Sequence, residues 1–331
     1  MVQEISPDLF LIEVPLPNSP LKYLNSYVVR SKERNLIIDT GLNRKVCLEA
    51  LSSGLKELGV DLSVTDFFIT HLHADHFGLV SKLATPSSRV YFNRPDAELI
   101  EAKGWWEPML AAAAKNGFPE EELRKALEQH PGYKHSSEWV PELSLLKDGD
   151  TIDVGRYHFK CVHTPGHSMG HTCLYDAEKK IFVAGDHILV DITPNIQCWS
   201  EGGNPLADYL KSLDRVFALE IELVLPGHRR LIHDHRGRIE ELKKHHHARC
   251  DEILEILGKR GALTAYQTAS YMTWDIKSES WEAFPIAQKW FATGEAIAHL
   301  RYLEVKGDIR RQSEEGCFTF SALNFSIPKS K

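Results

Sequence analysis

Thr70-His71-Leu72-His73-Ala74-Asp75-His76 is the stretch that decides the fold prediction, and it directly follows the apolar run Asp66-Phe67-Phe68-Ile69. The run predicts a short buried strand, so the histidines and the aspartate fall on the turn after it. Packing does not account for this crowding, because histidine is a modest core residue and aspartate is seldom buried without a partner. A divalent metal site removes the conflict, since imidazole and carboxylate are usual zinc ligands. The alternative is a solvated histidine-rich loop.

The spacing within this turn indicates two ions. His71 and His73 alternate as they would at the end of a strand, so they are expected to face one ion. Asp75 and His76 continue around the turn and are expected to face a second ion.

Three later strand ends carry similar chemistry. Apolar residues lead into Thr164-Pro165-Gly166-His167, into Gly185-Asp186-His187 and into Pro226-Gly227-His228. Glycine in each turn lets the backbone approach closely. Each turn alone is typical of an ordinary loop, but together with residues 71–76 they supply a ligand set for two ions.

Length and composition limit the class of protein. A chain of 331 residues with 43% hydrophobic residues suits about two domains. No apolar run approaches the ~18 residues of a membrane helix, and the N-terminus does not resemble a signal peptide. The six scattered cysteines predict free thiols in a reducing compartment, which favours a cytoplasmic protein. The net charge of -7 argues against a nucleic-acid partner.

The hydrophobic pattern predicts a strand-rich beginning followed by alternating strands and helices. The predicted strands are 8–14, 24–30, 35–39, 66–70, 89–92, 151–154, 157–163, 172–175, 181–184 and 223–225. The predicted helices in this part are 45–59, 77–84 and 206–219.

Residues 95–138 differ from their surroundings and predict a helical insertion. The segment is rich in alanine and contains the pair Trp105-Trp106. One interpretation is a helical pair packed on the outside of the domain. The other is a cap over the site, in which Trp105 and Trp106 line a partly apolar substrate pocket.

The C-terminal part predicts helices over 239–257, 264–272 and 294–305 and a hairpin of strands 309–312 and 317–321. Three helices and a hairpin are the order of a winged helix. The predicted domains are therefore 1–240 and 241–331. Residues 245–331 contain 11 Lys and Arg and 11 Asp and Glu. This neutral balance favours a pocket wall or a homodimer contact over nucleic-acid binding.

The motifs taken together resemble the metallo-β-lactamase superfamily of metallohydrolases, over roughly residues 8–235. The resemblance implies an α/β fold, a four-layer αββα sandwich with two mixed sheets, to which some members append a small winged-helix domain. It implies that His71, His73 and His167 hold one ion, that Asp75, His76 and His228 hold the other, and that Asp186 bridges both. Asp39 would orient a ligand from behind the site. His171 and His187 lie off the ligand positions and are either supporting or substrate-contacting residues or ordinary loop histidines.

The resemblance also implies the chemistry. Two divalent ions, zinc by default and iron or manganese as alternatives, would hold a bridging water and present hydroxide to an ester-like carbonyl, with Asp75 or Asp186 taking up the proton. Asp186 replaces the cysteine ligand of the commonest zinc β-lactamases, so an antibiotic is not the expected substrate. We expect a thioester or lactone of a small molecule. The alternative is a metal-dependent endoribonuclease that grips RNA with the winged helix.

Overall fold

The computed structural model describes residues 2–102, 106–137, 139–276 and 278–323. The strands are β1 (Val2–Ser6), β2 (Leu9–Pro15), β3 (Tyr23–Val29), β4 (Asn35–Ile38), β5 (Thr65–Phe68), β6 (Val90–Asn93), β7 (Leu143–Leu146), β8 (Thr151–Val154), β9 (Tyr157–His163), β10 (Thr172–Asp176), β11 (Ile181–Gly185), β12 (Leu223–Pro226), β13 (Ile309–Glu314) and β14 (Cys317–Ala322). The helices are α1 (Lys45–Glu57), α2 (Ala74–Phe77), α3 (Val80–Leu83), α4 (Arg94–Glu101), α5 (Trp106–Lys115), α6 (Glu120–Gln129), α7 (Pro131–Lys134), α8 (Pro205–Phe217), α9 (His235–Arg260), α10 (Ala265–Tyr271) and α11 (Ile286–Lys306). The sequence did not predict β1 and β7.

Two mixed sheets form the α/β fold that the sequence predicted. The first has the order β1-β2-β3-β4-β5-β6-β7, antiparallel up to β4 and parallel from β4 to β7. The second has the order β12-β11-β10-β9-β8, in which only β11 and β12 are parallel. The helices between the parallel strands are the crossovers that this pairing requires.

Apolar side chains from both sheets form one core. Leu36 and Phe68 of the first sheet share it with Phe159 and Leu174 of the second. The opposite face of the first sheet packs against α1, where Leu51 and Leu55 recur at helical spacing. The central strands β3, β4 and β5 are therefore covered on both faces, which explains why they are almost continuously buried.

The described residues fall into two compact units. The first comprises those within Met1–Lys103, Pro131–Pro194 and Ser212–Ile239, and the second those within Gly104–His130, Asn195–Lys211 and Glu240–Lys331. Within the second unit, Phe118 of the predicted helical insertion shares a core with Trp290 of α11. The division into domains 1–240 and 241–331 stays a prediction.

Helix α11 begins at Ile286 rather than at the predicted Gly294. Pro285 stands at its N-cap, where its fixed φ suits the start of a helix. Gly294 lies inside the helix, and a Cβ there would come within 2.8 Å of the Trp199 ring. The glycine therefore serves close packing and does not mark a helix boundary.

Two buried histidines face each other in the second unit. His246 Nδ1 lies 3.1 Å from His299 Nε2, and His299 Nδ1 lies 2.8 Å from the Glu295 carbonyl oxygen. Burial lowers the pKa of His299 to about 4, and burial followed by the nearby His299 holds the pKa of His246 well below its usual range. Both rings are therefore neutral near pH 7. The sequence placed His246 on the apolar face of the predicted helix 239–257 and predicted that most of the tract 245–247 is solvated, and in the structure His246 is buried while His247 is exposed.

Acidification from pH 6.5 to 4 is expected to destabilise the protein through this pair. The unfolded chain binds protons from about pH 6.5, whereas folded His299 resists them down to about pH 4. Stability is therefore fully present above pH 6.5 and decreases as the pH falls, by roughly 3 kcal/mol for one such shift. Denaturant unfolding at pH 6.5 and at pH 4 measures this loss in the free energy of unfolding. His299→Gln, which cannot titrate at this position, should reduce the pH dependence of the unfolding free energy by about that amount, and an unchanged slope in that variant would contradict the assignment.

None of the helices in the described part of the chain combines the length and the apolar character that a membrane crossing needs.

Candidate metal centre

The predicted ligands gather at one edge of the two sheets of the first unit. His71 follows β5, and in the second sheet His167, Asp186 and His228 follow β9, β11 and β12. Strands β11 and β12 are parallel, and β9 runs the same way because β10 is antiparallel to both of its neighbours. The carboxyl ends of these strands therefore meet at one edge, where open α/β sheets commonly bind ligands.

Helix formation starts inside the ligand motif. The sequence predicted a helix over 77–84, but α2 begins at Ala74, with His73 as its N-cap, and α3 follows separately. The Gly78 N–H donates to the Ala74 carbonyl at 2.9 Å. His76 therefore lies on a helical turn, which directs its ring back toward the strand ends.

Three groups of side chains bring their ligand atoms within 4.8 Å of one another. They are His71 with His73 and His167, Asp75 with His76 and His228, and His71 with His76 and Asp186. The first two groups match the two predicted ion sites, and the third connects them.

Asp186 lies between the groups. Its Oδ1 is 3.6 Å from His76 Nε2, and its Oδ2 is 3.5 Å from His228 Nε2 and 3.6 Å from His167 Nε2. Asp75 Oδ2 lies 3.4 Å from His228 Nε2. Ligand atoms about 2.1 Å from one tetrahedral ion lie roughly 3.4 Å apart, so these separations suit atoms that share an ion better than direct hydrogen bonds.

Asp39 orients His76 from behind. The His76 Nδ1 lies 2.7 Å from Asp39 Oδ2, so the ring donates there and its Nε2 faces the site. Asp39 also accepts hydrogen bonds from the Thr70 N–H at 2.9 Å and from the Thr70 hydroxyl at 2.8 Å. One carboxylate thus fixes the turn and the histidine on it.

Backbone groups orient two further histidines. His228 Nδ1 donates to the Tyr23 carbonyl at 2.8 Å, which leaves Nε2 for the site. His171 Nε2 accepts the Asp186 N–H at 3.1 Å, so its ring holds the Asp186 backbone and does not face the ligands. The His187 ring is buried and lies 6.1 Å from that of His171.

His71 and His73 of the first group are neutral. Burial, reinforced by His167, lowers the pKa of His73 to about 3. Burial followed by His76 and His73 holds the pKa of His71 well below its usual range. Their nitrogens are available to a cation at any pH near neutrality.

The histidines of the second group are held among carboxylates. Burial opposes protonation of His228, but Asp186 and Asp75 outweigh it and raise its pKa to about 10. Burial likewise opposes protonation of His76, but Asp39 and Asp186 raise its pKa well above the usual value. Burial raises the pKa of the Asp186 carboxyl, but His228 and His76 more than compensate and keep it ionised. A divalent cation would supply the positive charge that protons otherwise bring to these carboxylates.

The inward-facing atoms fit a metal. Among the described residues, His76 Nε2, His228 Nε2 and Asp186 Oδ1 are buried and accept or donate no hydrogen bond, which is costly unless an ion occupies the space between them. Gly227 leaves that space open, since a Cβ would lie 2.5 Å from Asp186 Oδ1.

Trp105 and Trp106 were the two predicted aromatic contacts to substrate. Trp105 is outside the described residues. Trp106 belongs to the second unit, where its ring lies 5.0 Å from that of His130. The substrate role of both stays a prediction.

Sequence reasoning missed Asp96, the acceptor at the start of α4. Its Oδ2 accepts the Leu72 N–H at 3.0 Å. Asn93-Arg94-Pro95-Asp96 signals a capped helix start, but nothing in that local pattern points to a partner more than twenty residues away in the chain.

The chain resembles curated proteins from several organisms. It is 29% identical over 221 residues to the human acyl-coenzyme A thioesterase MBLAC2. The matched region covers 62% of this chain and 72% of that protein. It is 27% identical over 281 residues to the probable metallo-hydrolase YqjP of Bacillus subtilis. That matched region covers 80% of this chain and 85% of that protein.

Two solved structures extend the likeness to nearly the whole chain. The metallo-beta-lactamase family protein TTHA1429 of Thermus thermophilus superposes with a TM-score of 0.82 at 29% identity and covers 97% of this chain and 100% of its own. A beta-lactamase domain protein of Burkholderia ambifaria superposes with a TM-score of 0.84 at 25% identity, and the match covers 97% of this chain and 94% of that protein's chain.

Family models match in two places. Residues 282–323 match the metallo-beta-lactamase-like C-terminal domain. Residues 21–228, more than half of the chain and the part that carries every predicted metal ligand, match the metallo-beta-lactamase superfamily, and the chain belongs to that superfamily.

Proposed function

We propose that the protein is a dinuclear metal-dependent hydrolase that cleaves an ester-type bond of a small molecule, a thioester or a lactone. The observation that carries the proposal is the pair of ligand groups joined by Asp186. The thioester is favoured because a relative at 29% identity is an acyl-coenzyme A thioesterase.

Each ion has a defined set of holders in this proposal. His71, His73 and His167 hold the first ion, and Asp75, His76 and His228 hold the second. Asp186 has one oxygen toward His76 and the other toward His167 and His228, which suits a shared ligand. Zinc suits the nitrogen and oxygen donors, and iron or manganese would use the same set.

Bound divalent ions would supply a water of lowered pKa and a positive charge that polarises the ester carbonyl. The chain's own residues provide position and proton transfer. Asp39 and the Tyr23 carbonyl direct His76 and His228 inward, so the donors need little rearrangement when the reaction begins.

Asp75 is the better placed of the two candidate proton acceptors. Its side chain is 19% exposed, against 8% for Asp186. Asp186 is engaged on both oxygens by the histidines around it, whereas Asp75 reaches solvent and can pass a proton on. Asp75 would therefore take up the proton of the nucleophilic water and release it to the leaving group or to solvent.

The C-terminal helices and hairpin are proposed to form a winged helix. Leu263, between α9 and α10, exchanges two backbone hydrogen bonds with Phe320 of the hairpin, at 3.0 and 2.8 Å. A short strand in this position commonly completes a wing. Arg311 of the hairpin offers little to RNA, because its guanidinium lies 3.1 Å from Glu304 and 4.7 Å from the Phe318 ring centre.

Thiol release from a panel of acyl-coenzyme A thioesters, with lactones of matching acyl length beside it, tests the proposal. Zinc-loaded protein should hydrolyse at least one class, and protein stripped by a chelator should not. Restoring zinc should restore turnover. Protein that carries its full complement of metal and hydrolyses neither class would contradict the proposal.

A further inference from the structure

The carboxylate of Asp96 is completely buried in the first unit, at the N-terminal turn of α4. Its Oδ2 accepts the Leu72 N–H at 3.0 Å and the Ser168 hydroxyl at 2.8 Å. Its Oδ1 accepts the Gly170 N–H at 2.8 Å. The Asp96 N–H in turn donates to Asn93 Oδ1 at 2.8 Å, so the helix cap fixes the residue that carries the carboxylate.

These partners belong to the two loops that carry the first ligand group. Leu72 stands between His71 and His73, and Ser168 directly follows His167. One loop follows β5 of the first sheet, and the other follows β9 of the second sheet. A single carboxylate therefore joins two segments that are remote in sequence and that must hold three nitrogens at one point.

The close approach of the second loop to α4 is built into the packing. A Cβ at Gly170 would lie 1.6 Å from Asn93 Oδ1 and 2.8 Å from the Asp96 backbone nitrogen. Any other residue at this position would push the loop away from the helix. The short contact at Gly170 and the hydrogen bonds from Ser168 and Gly170 to Asp96 thus set the distance between this loop and α4 independently.

We propose that Asp96 is a positioning residue that sets the spacing between the His71–His73 pair and His167, and thereby the affinity of the first ion site. The inference rests on the proposed metal-dependent function. Asp96 touches none of the ligand side chains in the contacts above and acts through the backbone on either side of them. Residues of this kind that support metal ligands typically change metal affinity 10- to 100-fold when they are replaced.

The test is the metal affinity of Asp96→Asn, which keeps the shape of the side chain but replaces one acceptor oxygen with an amide donor that faces a donor. Competition titration of the zinc-free protein with a chromophoric chelator should resolve two binding steps in the wild type. His73→Ala and His228→Ala assign the steps to the first and the second site. In Asp96→Asn the first step should weaken about 10- to 100-fold, and the second should keep its wild-type affinity.

Asp176→Asn is the matched control. Asp176 is also completely buried and accepts two backbone N–H groups, from His158 at 3.0 Å and from Lys179 at 2.9 Å. It lies at the opposite end of β10 from the site, ~13 Å away by strand rise. Its replacement should leave both steps unchanged. Equal weakening of both binding steps in Asp96→Asn, or the same loss of affinity in Asp176→Asn, would show general destabilisation and overturn the proposal. A first step of wild-type affinity in Asp96→Asn would also overturn it.

Ser168→Ala gives a second route if Asp96→Asn does not fold. It removes one of the three hydrogen bonds and keeps the carboxylate, so the first step should weaken only about threefold and the Co²⁺ absorption of that site should change. Gly170→Ala should weaken the same step further. An unchanged first step in both variants would refute the proposal. Because binding is measured without substrate, failure of ester hydrolysis would contradict the proposed function but not the role of Asp96.

Discussion

Asp186→Ala is expected to lose at least about a thousandfold in turnover and to bind less than its full complement of metal. Asp186 is the one side chain among the described residues whose two oxygens approach histidines of both ligand groups. If Asp186 bridges two ions as proposed, its removal would take a ligand from each ion, and it would leave His76 and His228 without the carboxylate between them. Metal content by atomic emission and kcat against the preferred ester measure the two effects together.

Asp186→Asn sharpens this result because it keeps the size of the side chain and removes its charge. We expect Asp186→Asn to fall between the wild type and Asp186→Ala in metal content and to remain nearly inactive. Asp176→Asn, which changes a buried carboxylate far from the site, should retain activity and metal. Full turnover by metal-depleted Asp186→Ala would show that hydrolysis does not need the centre.

The sheet and the clustering of the ligands were predictable because both follow from local patterns. Apolar runs that end in turns with His or Asp place the polar groups at strand ends, and parallel strands bring those ends together. The same logic brought His167, Asp186 and His228 to one edge although more than sixty residues separate the first from the last. Their roles as ligands stay a prediction.

What could not be predicted depends on contacts between remote segments. Gly294 was interpreted as a helix start, yet it lies inside α11 because the Trp199 ring packs there. His246 was predicted on the apolar face of the helix over 239–257, but nothing in that pattern indicated that it would meet His299 from another helix. Asp96 gave only a helix-start signal, since its partners Leu72 and Gly170 come from other loops. Local periodicity carries no information on such pairs.

Zinc binding to the second site is expected to weaken about a hundredfold for each pH unit between pH 8.5 and 6.5, whereas binding to the first site should change little. At the second site the ion must displace protons from His228, whose pKa is raised to about 10, and from His76, whose pKa is also raised. Two protons released per ion give this slope. At the first site His73 has a pKa lowered to about 3 and is already deprotonated throughout the range.

Calorimetric titration in buffers of different ionisation enthalpy counts the protons directly, and chelator competition at three pH values gives the slopes. Asp39→Asn is the informative variant, because it keeps the hydrogen-bonding shape beside His76 and removes a negative charge that raises the His76 pKa. The proton count at the second site should then fall from about two toward one, while the first site keeps its weak dependence. Equal slopes at both sites would mean that the carboxylates do not divide the histidines into a neutral and a protonated group. In that case the second ion would not be held by Asp75, His76 and His228 in the arrangement proposed.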